Sequence, residues 1–176
     1  MLLRPRSPIL VNAGERGLRV TGCYRITARV CGGKFVEKII AMRKIDMIIV
    51  HCTATPRGRD VTAAEVDRWH RMRGFDGIGY HFLVRLDGTV ERGRPVEKAG
   101  AHCKGYNTRS IGVVYAGGVE SDCVTPADTR TEAQKTALRQ LIDRLRADYG
   151  IERVHGHRDF AAKACPSFDA TAEYSR

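Results

Sequence analysis

The sequence predicts a single-domain α/β protein with a mixed central β-sheet flanked by α-helices. Three observations carry that prediction. Two apolar runs have strand length, two capping boxes open helices, and the segments follow the order β-α-β-β-β-α-β.

The elements read as follows, in chain order. Residues 1–41 form a basic N-terminal extension with no helical period. Leu10, Val11, Leu18, Val20, Tyr24, Ile26 and Val30 offer short strands, interrupted by glycines. It reads as an upstream segment or a flexible basic arm, with Met42 and Met47 as alternative translation starts. Residues 42–176 form the functional domain. Ile45–Val50 is a strand buried on both faces, since it is apolar without alternation. His51 follows at its C-terminal end, where open α/β sheets place functional groups. Thr62-Ala-Ala-Glu65 is a capping box opening a helix to about Arg73, with Val66, Trp69 and Arg73 on one stripe and Gly74 as the stop.

Gly79–Val84 and Thr89–Arg92 make a β-hairpin around Asp87-Gly88, predicted as a two-residue turn. Ile111–Tyr115 is a second buried strand, ended by Gly117-Gly118. Residues 119–130 form a polar loop. Thr131-Glu-Ala-Gln134 is another capping box, and Leu138, Leu141, Ile142, Leu145 and Tyr149 recur at helical spacing up to Gly150. A short strand, Glu152–His155, leads into the final segment.

Composition narrows the function classes. The 176 residues suffice for one domain with a sizeable core, and 43% hydrophobic with 28% charged residues is ordinary for a globular protein. No apolar run approaches the roughly 20 residues of a membrane helix. The first twenty residues lack the apolar core of a secretory signal, so synthesis in the cytoplasm is expected. Net charge is +10, but residues 1–44 hold ten basic and two acidic residues, leaving only +2 for the remainder. A body so nearly neutral argues against nucleic acid as a stable partner. The six cysteines, without a signal peptide, read as reduced thiols rather than a disulfide framework.

Chemistry concentrates between His155 and Asp169. That stretch offers His155, His157, Asp159, Lys163, Cys165 and Asp169. Zinc favours imidazole and thiolate, and one Cys with two His leaves an open position, the catalytic arrangement. His51 is the candidate that completes such a set with His157 and Cys165. Strand alternation sends Cys52 to the opposite face, into the core. His155 competes with His157 as a ligand, although a structural role such as a strand-end hydrogen bond suits it better. Tyr80 and His81 point opposite ways, and periodicity does not choose between them.

Five ordered blocks carry a resemblance. They are Ile48-Ile-Val-His51-Cys-Thr-Ala-Thr, Gly79-Tyr80-His-Phe, Gly100-Ala-His102-Cys-Lys-Gly-Tyr-Asn107, Ser110-Ile-Gly-Val-Val, and Gly156-His157-Arg-Asp through Lys163-Ala-Cys165-Pro-Ser-Phe-Asp169. Together they resemble the zinc-dependent N-acetylmuramoyl-L-alanine amidases of the type 2 family, from about residue 43 to 170. That family includes the amidase-type lysozymes of T-odd coliphages and is similar to peptidoglycan recognition proteins.

The resemblance implies that His51, His157 and Cys165 bind Zn2+, and that Tyr80 and Lys163 act on the reacting amide. It also implies hydrolysis of the bond between the lactyl group of N-acetylmuramic acid and L-alanine in peptidoglycan. A phage or prophage endolysin, monomeric and reaching the wall after release or export, is the expected context. His102 and Asn107 resemble substrate-groove residues, with loop-stabilising hydrogen bonds as the alternative. Asp159 and Asp169 serve either as acceptors for ligating imidazoles or as caps, and Trp69 as core or groove wall. Two other readings are a non-catalytic muropeptide-binding module and a nucleic-acid binder acting through the basic arm. Intact Tyr80, Lys163 and Cys165 favour the enzyme.

Overall fold

A computed structural model describes residues 23–29, 35–41 and 43–175. The chain divides into two units, Met1–Ala41 and Met42–Arg176. In the first, β1 (Cys23–Arg29) pairs antiparallel with β2 (Phe35–Ala41), Cys23 opposite Ala41 and Arg29 opposite Phe35. Tyr24 and Ile26 thus lie in a strand as expected; Leu10, Val11, Leu18, Val20 and Val30 lie outside the described residues.

The second unit is built on β3 (Met47–Cys52), whose six residues are all buried. It lies between β7 (Ser110–Tyr115) and β9 (Arg153–Gly156), parallel to both. A strand enclosed on both edges and both faces has no use for polar alternation, which explains its continuous apolar run. The sheet continues through β5 (Phe82–Val84), parallel to β7, to the antiparallel edge strand β6 (Val90–Arg92), in the order β6-β5-β7-β3-β9. Two further strands of two residues each, β4 (Thr55–Pro56) and β8 (Gly118–Val119), pair in parallel beyond the ends of β3 and β7.

Alternation along β3 and β7 separates two faces. Ile48, Val50, Cys52, Ile111, Val113 and Tyr115 pack on one side with Leu138, Ile142 and Leu145 of α2 (Glu132–Tyr149). On the other, Val114 and Leu83 meet Val66 of α1 (Ala63–Met72), while Met47 and Ile49 meet Cys103. His51 belongs to this second face. Both capping boxes form as the sequence dictates, Thr62 with Glu65 and Thr131 with Gln134. Each such cap contributes about 1 kcal/mol. The buried stripe of α1 is Val66 and His70, with Trp69 half-buried at its side.

The hairpin turn differs from expectation. Arg85 N–H donates to Thr89 O, and Gly88 N–H donates to Arg85 O, so the loop holds three residues, Leu86-Asp87-Gly88. Gly88 sits at φ +85°, the left-handed position that a three-residue loop with a type I turn requires. Asp-Gly serves either turn, and the strand register decides between them.

After β9 a single 3-10 turn, His157–Asp159, leads into the closing loop and a short helix, α3 (Ala170–Tyr174), capped by the Asp169 side chain. Arg130 fastens this end. Its side chain is only 2% exposed, pairs with Asp128 and Glu173, and stacks on the Phe168 ring. Tyr115 Oη also donates to Pro166 O at 2.6 Å, drawing the loop over the C-terminal ends of β3 and β7.

Candidate active site

His51 and His157 arrive from neighbouring parallel strands. Val50 of β3 pairs with Gly156 of β9, and one residue further on the two imidazoles lie 4.6 Å apart, centroid to centroid. Cys165 comes over the end of β3 from the closing loop. Its Sγ lies 3.8 Å from His51 Nδ1 and accepts the backbone N–H of Cys52 at 3.3 Å. One donor atom from each of His51, His157 and Cys165 falls within 4.8 Å of the others. His51 is fully buried, the other two partly so.

Electrostatics keep the nitrogen lone pairs available. Burial drives His51 well below the ordinary imidazole value, helped by His102, His157 and Lys163. Burial also lowers His157, with Lys163 adding to the effect. The Cys52 and Cys165 thiols lie close enough to couple, and two adjacent thiolates repel. The pair therefore loses its first proton below the usual thiol range and its second well above it. Two imidazoles and a cysteine sulfur in one small cluster are a zinc-type donor set, so the residues present fit that ion.

Tyr80 borders the cluster, its ring 5.1 Å from that of His51 and 5.4 Å from His70. Burial raises its phenol, so the hydroxyl keeps its proton through the neutral range. His81 points the other way. Its Nδ1 accepts the Gly112 N–H at 2.9 Å and its Nε2 meets Lys98 O at 3.1 Å, joining β5 to β7 and the loop beyond β6. Lys163 is exposed, and its positive charge reaches His51, His157 and Cys165.

The N-acetylmuramoyl-L-alanine amidase family profile matches residues 41–168. The chain belongs to that family. Among similar proteins, the endolysin of Klebsiella phage KP32 is 43% identical over 127 residues, 72% of this chain and 83% of the relative. The endolysin of Escherichia phage T7 is 44% identical over 124 residues, 70% and 82% of the two chains. Among solved structures, the N-acetylmuramoyl-L-alanine amidase LysC from Clostridium intestinale URNW superimposes with a TM-score of 0.63 at 33% identity. That match covers 75% of this chain and 82% of LysC.

The remaining candidates of this amidase fall in two groups. His102 stands beside the cluster: its Nδ1 is 3.0 Å from His51 Nε2, and burial brings it down to about 3. Asn107 serves the loop, its Oδ1 accepting the N–H groups of His102 at 2.9 Å and Cys103 at 2.8 Å. His155 turns away, its Nδ1 lying 3.5 Å from Asp159 Oδ2. Asp159 accepts the Gly156 N–H and faces His155, and Asp169 caps α3, so neither carboxylate serves His51 or His157. Trp69 packs against the second core cluster with Arg59 over its ring. Cys52 is core, as alternation requires, yet its backbone and thiol both reach Cys165. Sequence reasoning missed Ser110 and Tyr115, which brace the site from β7. A buried serine or tyrosine on an apolar strand was the only signal.

Proposed function

We propose that this amidase is a zinc enzyme of the endolysin kind, cutting the amide between the lactyl group of N-acetylmuramic acid and L-alanine in peptidoglycan. One observation carries the zinc reading: the His51, His157 and Cys165 donor atoms within 4.8 Å of one another at the C-terminal ends of two parallel strands. Among the described residues no helix is long and apolar enough to cross a membrane.

In this reading His51, His157 and Cys165 hold the ion. Bound there, zinc supplies a Lewis acid that polarises the scissile carbonyl and lowers the pKa of water towards neutrality. The chain's own groups do the rest. The Lys163 ammonium stabilises negative charge as it builds on the carbonyl oxygen. The Tyr80 hydroxyl, held protonated, donates to the same oxygen or passes a proton towards the leaving amine. Residues 1–41 act as an accessory basic segment, and residues 42–176 act as a monomeric catalytic domain on the wall.

The test uses purified protein and purified peptidoglycan. New alanine amino termini should appear, vanish with a chelator and return with zinc. Tight pelleting with the wall and no new termini would instead make the chain a recognition module.

A further inference from the structure

We infer that His102 is a positioning residue that sets the tautomer of His51, turning the Nδ1 lone pair of His51 towards Cys165 and His157. The inference rests on the metal reading above for its consequence, though not for its geometry.

A backbone carbonyl can only accept a hydrogen bond, and this gives the chain behind His51 a single direction. Tyr106 O accepts from the Ser110 hydroxyl at 2.8 Å. That hydroxyl has one proton, already committed. Its contact with His102 Nε2 at 3.4 Å therefore has the imidazole as donor. A neutral imidazole protonated at Nε2 is bare at Nδ1, so His102 Nδ1 accepts from His51 Nε2 at 3.0 Å. His51 is then bare at Nδ1, the atom 3.8 Å from Cys165 Sγ. Running the chain the other way would leave the Tyr106 carbonyl and the Ser110 oxygen facing each other with no proton between them.

The fold is shaped to hold this ring. A Cβ on Gly100 or Gly112 would come within 2.4 Å or 2.5 Å of His102 Cδ2, so both positions must lack one. Asn107 fixes the His102 backbone from the other side. The two rings meet almost at right angles, 84°, with the nitrogens rather than the faces in contact. Metal-ligating imidazoles commonly need such a partner on the far nitrogen, and its loss typically costs about 10–100-fold in metal affinity.

Two measurements on the full chain test the assignment. Nitrogen-15 NMR of the metal-free protein should show His51 protonated at Nε2 and bare at Nδ1, with Ser110→Ala introducing the second tautomer. Competition with a chromogenic chelator should show zinc affinity falling about 10–100-fold in His102→Ala, and His102→Gln, whose carbonyl still accepts, recovering part of it. A proton on Nδ1 of His51 in the unmodified chain overturns the inference. So does a folded His102→Ala chain with zinc affinity within about twofold of the parent. Cys165→Ala separates the two readings: if it binds zinc as tightly as the parent, the metal assignment fails while the tautomer measurement still reads His102.

Discussion

The backbone N–H of Cys52 donates to the Sγ of Cys165 at 3.3 Å, across 113 positions of sequence. A hydrogen bond to sulfur favours the thiolate, the form in which cysteine binds a metal. Cys165→Ala and His157→Ala should each abolish zinc binding and amidase activity together. Metal analysis beside the release of alanine amino termini checks this, and full activity in a metal-free variant would defeat the metal mechanism.

Lys163 is exposed, and among the described residues the hydrogen bonds around His51 and Cys165 run through His102 and Cys52 rather than through its side chain. Lys163→Ala should keep zinc and the thermal midpoint while kcat falls about 10²–10³-fold, the scale for losing one oxyanion donor. Loss of zinc in that variant would show that the lysine is structural.

Tyr80 carries its proton at neutral pH like any phenol, and burial raises it further. Tyr80→Phe keeps the ring packed against His51 and His70 and removes only the donor. We expect zinc affinity to hold and kcat to drop by about 10²-fold or more. Unchanged turnover would leave Tyr80 as a wall of the site and nothing else.

Burial holds His81 at about 4 and His102 at about 3, and puts His51 well below 6.5. On unfolding these imidazoles return to about 6.5 and take up protons whenever the pH lies below that value. The unfolded state then binds more protons, so stability is full above pH 6.5 and drains as the pH falls towards 4. Each imidazole removes about 1.4 kcal/mol per pH unit in that window. The thermal midpoint of the metal-free protein should be flat from about pH 7 to 8 and fall steeply by pH 5, with protons taken up on unfolding. A midpoint unchanged across that range would mean the imidazoles are not buried neutral.

Deleting residues 1–41 should leave wall lysis intact, because every group assigned to the chemistry lies between His51 and Cys165. Turbidity loss of a cell-wall suspension reads this directly. A truncated chain that folds but no longer lyses would make the basic segment part of wall recognition.

The parts of the fold legible in the sequence were those fixed by local chemistry. Thr62 with Glu65 and Thr131 with Gln134 announced two helices, and the run through Ile48, Ile49 and Val50 announced a strand closed on all sides. Strand alternation alone put Cys52 in the core. What it could not supply was pairing at a distance. The β4–β8 pair has two residues a side, too short for any period, and α3 rests on a buried Arg130 contact rather than on its own five residues. His102 read as a substrate-groove candidate, and its place beside His51 was not legible because only the tertiary fold brings the two together, 51 positions apart.

The cluster joins the first strand of residues 42–176 to the loop before their last helix, with His51 and Cys165 separated by 114 positions. Its three donor atoms cannot meet in a nascent chain until residue 165 has left the ribosome and β9 has docked beside β3. The chain therefore lacks this complete set of donor atoms for as long as it is being translated.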